Sequence, residues 1–146
     1  MPKLRDIMTE DVQTVTMDDN VYEVALKMKE YDVGAIPVVR GSHAVGIITD
    51  RDLVVRGLAN RKPGSATVQE VMTTDLITAT PDTSVEEAAQ IMSENQIRRL
   101  LVVEEGNLVG IVALKDLTDH GSTSQFANHA IQEISETKGE HLRELH

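Results

Sequence analysis

Gly46-Ile47-Ile48-Thr49-Asp50-Arg51-Asp52 decides how the chain is read: an apolar strand runs into a helix that opens with a hydroxyl and two carboxylates. A helix start leaves backbone N–H groups unpaired at the positive end of the peptide dipole, which attracts phosphate. Asp52 argues against a pure phosphate site, because a carboxylate in the first turn repels a polyanion. It can, however, accept two hydrogen bonds from the vicinal hydroxyls of a ribose. Thr49 would then serve the ribose or a phosphate oxygen. The same spacing also reads as a capping box, Thr49 as N-cap with Asp52 three residues on, and that needs no ligand. Taken alone, the stretch favours the cap.

The balance changes because the stretch lies inside a repeat. Residues 8 to 53 align without a gap on residues 72 to 117, and about 18 of 46 positions are identical in that register. Met8-Thr9 matches Met72-Thr73, Thr14 and Thr16 match Thr78 and Thr80, Val45-Gly46-Ile47 matches Val109-Gly110-Ile111, and Asp52-Leu53 matches Asp116-Leu117. The chain is a tandem duplication.

Each copy begins with a short alternating segment, Thr14-Val15-Thr16 or Thr78-Ala79-Thr80, that predicts a brief strand. A helix follows, announced by Asn20 with Glu23 and by Ser84 with Glu87 in capping-box spacing. Val21, Val24, Ala25 and Met28 make one apolar stripe, and Val85, Ala88, Ala89 and Met92 the other; the methionines are core filler. A strand pair comes next: residues 35 to 39 and 44 to 48, joined by Arg40-Gly41-Ser42-His43. Its counterpart is residues 100 to 103 and 108 to 112, joined by Glu104-Glu105-Gly106-Asn107. Pro37 cannot donate to a sheet ladder, so an edge or a strand start is expected for it. A short second helix begins at Thr49, and another near Leu114. The order is β-α-β-β-α, twice.

Some sixty residues in that order bury little and leave a sheet face uncovered. The two copies are therefore expected to pack sheet against sheet, an α/β (α+β) fold. The expected boundaries are 1–60 for the first repeat, 61–67 for an exposed linker around Asn60-Arg61-Lys62-Pro63-Gly64-Ser65, and 68–118 for the second repeat. Residues 119–146 remain as an extension, helical or frayed: Gly121-Ser122-Thr123-Ser124 reads as a hinge, and Ala127, Ala130, Ile131 and Ile134 as a weak amphipathic stripe.

Composition excludes several functions. A formal net charge of -10 gives no broad basic face for a polyanion. Only Tyr22, Tyr31 and Phe126 are aromatic, too few for base-stacking platforms. The 146 residues include no cysteine, which removes disulfides, thiolate metal sites and a cysteine nucleophile and fits a reducing compartment. No apolar run is long enough to span a bilayer, and the first residues lead into polar sequence rather than a signal core. A cytoplasmic protein without nucleic-acid or membrane partners is expected. Catalysis is not expected: no His is paired with a nucleophile in a motif, and no Walker-type glycine loop occurs. Nor is a metal site, since His43 lies in a turn and His120, His129, His141 and His146 are scattered.

With these residues in view, the chain resembles the tandem cystathionine-β-synthase (CBS) domain pair, or Bateman module. The resemblance rests on Met-Thr near each start, the doubled β-α-β-β-α order, and Gly-hydrophobic-x-Thr-x-x-Asp at the end of the first copy with its variant in the second; it covers about residues 4 to 118. It implies two repeats related by a pseudo-two-fold axis, with adenosine-containing ligands bound in clefts between them. Carried onto this chain, the first cleft receives Thr49 and Asp52 for the ribose, with Thr14, Val15 and Thr16 alongside. Ile36, Pro37 and Ile48 would form an apolar bed for the base. In some relatives a basic pair from the other repeat reaches the phosphates, and Arg98 and Arg99 occupy the matching place; their simpler reading is a solvated corner. The second, weaker cleft keeps Thr78, Thr80 and Asp116, but Ala113 replaces the motif threonine and Gly34 and Ala35 supply no charge opposite.

The function so implied is a stand-alone adenine-nucleotide-binding regulatory module, with AMP, ADP or ATP as ligand and no cofactor required. It would form a homodimer and act on an effector protein that the chain does not name. The alternative is a scaffold that binds no nucleotide and uses Val54, Val55 and Leu58 to dimerise or capture a partner.

Overall fold

A computed structural model describes residues 2–119; the extension beyond, with His120, His129, His141, His146 and the expected hinge and amphipathic stripe, lies outside the described residues. The described chain is mixed α and β, and it divides into two compact units that do not follow the order of the chain. Of the described residues, the first unit combines 2–10 with 77–104 and 109–119, and the second combines 11–76 with the turn 105–108.

In the second unit, β1 (Ala35–Arg40) and β2 (His43–Thr49) form an antiparallel hairpin, with Ile36 opposite Ile48 and Ala35 opposite Thr49. Gly41 has φ 62, which a residue without Cβ adopts freely and which a two-residue hairpin turn requires. Val15 adds to β1 through a single parallel bridge to Val38, and Thr73 adds to the far side of β2 opposite Ile47. The expected strand at 14–16 is thus one bridged residue.

Pro37 lies on an edge strand, as expected, since β1 ends the strand order of its sheet. It is buried as the third residue of β1, with β2 on one side and Val15 on the other. The Val15 bridge needs only the Pro37 carbonyl (3.1 Å) and the Val39 N–H (2.9 Å), so the donor that proline lacks is never called upon.

Helices α1 (Leu4–Ile7) and α2 (Val21–Tyr31) precede the hairpin. Asn20 caps α2 by accepting from the Glu23 N–H at 2.8 Å, and Val21, Val24 and Met28 are buried. Ala25, expected in that stripe, is exposed, whereas its counterpart Ala89 is buried. After β2 comes α3 (Asp50–Asp52), which widens into a π-helical turn at Leu53–Gly57 and tightens into a 3-10 turn at Leu58–Asn60. Then α4 (Val68–Val71) returns to the same core, where Val68 and Val71 join Val24, Ile36, Val38 and Ile48.

The first unit repeats the plan. β3 (Thr78–Ala79) runs parallel to β4 (Arg99–Glu104), β5 (Asn107–Ala113) lies beside β4, and Thr9 bridges Ile111 on β5. Helix α5 (Val85–Asn95) is capped by Ser84, which accepts from the Glu87 N–H at 3.1 Å, and α6 (Leu114–Thr118) follows β5. Leu4 from α1 is fully buried here with Val85, Met92, Leu100 and Leu117.

Each repeat's opening helix therefore packs with the other repeat's body: α1 with α5, α4 with α2. Among the described residues no helix is long and apolar enough to cross a membrane.

Candidate functional site

The site is built at the end of β2. Thr49 is in extended conformation (φ -114, ψ 165), and its Oγ1 accepts from the Asp52 N–H at 3.1 Å while Asp52 Oδ2 accepts from the Thr49 N–H at 3.0 Å. The capping box is formed in full. The Asp50 N–H, next in the turn, donates to the Gly34 carbonyl at 2.9 Å, which ties α3 to the residue before β1.

One donor was not foreseen from the sequence. The Thr73 hydroxyl reaches both oxygens of Asp52, 3.2 Å from Oδ1 and 3.3 Å from Oδ2. Met72-Thr73 is visible in the repeat as a match to Met8-Thr9, but its pairing with β2 is long-range and carries no local signal. Thr73 exchanges two backbone bonds with Ile47, at 2.8 and 2.9 Å, and Arg56 donates to the Met72 carbonyl at 2.8 Å. Gly46 makes the approach feasible: a Cβ there would stand 2.9 Å from the Thr73 carbonyl oxygen.

Asp52 and Thr49 are half-buried, so the carboxylate is partly withdrawn from water yet reachable. Thr14, Val15 and Thr16 lie in the same unit. Thr16 is exposed, and its N–H is bound by Asp19 at 2.8 Å. The Thr14 carbonyl accepts from Lys27 Nζ at 3.1 Å, a cation the sequence did not single out. Ile36 and Ile48 are both 0% exposed and belong to the core cluster, and Pro37 is buried beside them. Their side chains fill the interior beneath the motif.

The remaining expected residues belong to the other unit. Arg98 and Arg99 are exposed where α5 gives way to β4, and the Arg98 carbonyl accepts from the Leu114 N–H at 2.8 Å, the counterpart of the Gly34–Asp50 bond. Thr78 is on β3, Thr80 is exposed just after it, and Asp116 sits half-buried in α6, its Oδ2 accepting from the Ala113 N–H at 2.8 Å. Ala113 carries only a methyl group and offers no oxygen to complete the exchange.

The shifted pKa values belong to exposed pairs away from either motif. The Thr67 N–H and then Lys62 hold the Glu70 carboxyl below its ordinary range, and Arg5, with Lys3, does the same for Asp82. Among the described residues no group of three or more His, Asp or Glu side chains is placed to hold a metal ion.

Two copies of one plan, each ending a strand pair with a short helix and an inward aspartate, match a known profile. The CBS domain aligns with residues 4–58 and again with 68–122. The chain belongs to the CBS-domain family. The uncharacterized protein YlbB of Bacillus subtilis is 46% identical over 138 residues, 93% of each chain. The crystal structure of Hypoxic Response Protein I, with two coordinated zinc ions, is 34% identical with a TM-score of 0.75, covering 82% of this chain and 99% of that one. The CBS domain pair of protein MJ0100, solved with 5-methylthioadenosine and S-adenosyl-L-methionine, is 28% identical with a TM-score of 0.74, covering 82% and 94%. As a CBS pair, the chain shares its fold with a protein that holds adenosyl compounds.

Proposed function

We propose that this CBS pair is a regulatory module that binds an adenine nucleotide at the first repeat's motif, with Asp52 accepting the ribose hydroxyls and Thr49 and Thr16 beside it. The observation that carries the reading is the half-buried Asp52 carboxylate: its cap uses one N–H, and among the described residues the only other donor on it is a single hydroxyl shared between both oxygens. A carboxylate has about four acceptor positions, so a diol that takes the place of the shared hydroxyl can reach both oxygens. The bound adenosyl compounds of the MJ0100 pair support the ligand class. The CBS resemblance implies that Arg98 and Arg99 meet the phosphate. A ligand that prefers one conformation of the chain shifts its population, and an effector reads the shift.

The test is calorimetric titration with AMP, ATP, adenosine and S-adenosylmethionine. Asp52→Ala is expected to weaken binding about ten- to a hundredfold, the range for a charge-assisted hydrogen bond. Replacing Arg98 and Arg99 together is expected to weaken AMP far more than adenosine. Equal losses for both would remove the arginines from the phosphate, and an unchanged Asp52→Ala titration would remove the ribose assignment.

A second reading has its own observation. Val54, Val55 and Leu58 are 57%, 47% and 75% exposed along the π-helical turn and its continuation, an apolar surface suited to a dimer or a protein partner. Sedimentation of Leu58→Glu, with a native oligomer that does not respond to the change, would set that reading aside.

A further inference from the structure

We infer that the Thr73 hydroxyl holds the place of a ligand's vicinal diol on Asp52 and competes with it, so that a ribose must displace it before both of its hydroxyls reach the carboxylate. The inference rests on the reading of Asp52 as the ribose acceptor and adds a competing hydroxyl that lies outside the Thr49–Asp52 stretch.

The geometry is that of a stand-in. At 3.2 and 3.3 Å from the two oxygens, the hydroxyl sits astride the carboxylate, where a diol using both oxygens would also approach. The Thr49 N–H takes Oδ2 from the cap and leaves that face alone. Shared between two acceptors at these distances, the Thr73 bond is weaker than a direct one and can be exchanged.

The backbone of Thr73 does not need to move for this. It is held by its two bonds to Ile47 and, one residue earlier, by Arg56 on the Met72 carbonyl. Rotation about χ1 is enough to release the carboxylate.

The first unit provides a control. Thr9, the counterpart of Thr73, is held on Ile111 by the same two backbone bonds, at 2.9 and 3.0 Å. Among the described residues it makes no hydrogen bond to Asp116. The backbone pairing alone therefore does not force the hydroxyl onto the carboxylate.

Because the Thr73 bond exists before binding and is lost on binding, removing the hydroxyl should raise affinity. Titration of adenosine and 2′-deoxyadenosine into the wild type, Thr73→Val, Thr73→Ser and Asp52→Ala tests this. Thr73→Val is expected to bind adenosine about three- to tenfold more tightly. The deoxynucleoside should change little, because one hydroxyl leaves an oxygen for Thr73, and Thr73→Ser should stay near the wild type. Thr73→Ala also lacks the hydroxyl and repeats the test should valine perturb the pairing with β2. Unchanged or weaker adenosine binding in both variants, with Asp52→Ala still defective, overturns the stand-in while leaving the ribose site. Binding of adenosine that is absent in the wild type, or intact in Asp52→Ala, overturns the ribose reading and this inference with it.

Discussion

The Thr49–Asp52 turn and the Ala113–Asp116 turn are the same backbone with different side-chain support. Both helices are anchored by an N–H bond to the residue before the first hairpin strand, Asp50 to Gly34 and Leu114 to Arg98, and in both the aspartate accepts from the N–H three residues back. Only the first adds the threonine hydroxyl to complete the cap, and only there does a further hydroxyl, from Thr73, rest on the carboxylate. The duplication is thus an internal control on the capping reading. The second helix starts at the equivalent residue without the hydroxyl, so the fold does not depend on Thr49. The two motifs therefore present different groups at the same turn.

Each unit joins the body of one repeat to the opening helix of the other, and the largest expected effect tests whether stability follows the units. Leu4 is fully buried in the first unit's core, among residues of the second repeat. Leu4→Ala should cost about 2–5 kcal/mol in chemical denaturation, the range for a buried leucine. Amide hydrogen exchange should show the loss of protection in α5 and β4 before α2 and β1. Val68→Ala, its counterpart in the second unit, should reverse that order at a smaller cost. Loss starting in α2 for Leu4→Ala would show that the units do not partition stability in this way.

Next in size is the close approach at the two glycines beside each motif. A Cβ at Gly46 would stand 2.9 Å from the Thr73 carbonyl oxygen, which is backbone locked to β2, while at Gly110 its nearest atom is Met8 Sδ at 2.7 Å, with the Thr9 carbonyl at 3.1 Å. A methionine end can turn aside and a paired carbonyl cannot. Gly46→Ala should therefore destabilise by about 1–3 kcal/mol, the range for overpacking, and Gly110→Ala by less. Equal melting shifts would mean that the two approaches are equally rigid.

Much of this architecture is legible in the sequence because it depends on local chemistry stated twice. Asn20–Glu23 and Ser84–Glu87 announce α2 and α5, and two short turns announce the hairpins. What the sequence hides is long-range. Helices α1 and α4 have four residues each, too short for a periodic signal, and nothing nearby reveals that Leu4 packs with α5. Ala25 and Ala89 share a stripe position, yet only Ala89 is covered. Thr49 and Asp52 could be named from their spacing, but Thr73 could not, since its hydroxyl reaches Asp52 only through pairing with Ile47. Nor does the sequence show that Ile36 and Ile48, expected in a ligand's apolar bed, are fully buried in the hairpin's core.

The smallest effect sharpens the comparison most directly, by exchanging the caps. Thr49→Ala removes the hydroxyl that accepts from the Asp52 N–H, and should cost about 0.5–2 kcal/mol, as N-cap truncations do. Ala113→Thr supplies the missing acceptor at a residue whose backbone (φ -96, ψ 152) is already extended as an N-cap requires, and should stabilise by a similar or smaller amount. The two melting shifts should be opposite in sign. If Ala113→Thr gains stability without creating a second nucleotide site in titration, the cap and the ligand site are separable properties of one turn. If it creates a second site, the asymmetry between the motifs rests on a single methyl group in place of a hydroxyl-bearing side chain, and Arg98 and Arg99 are not what decides which motif binds.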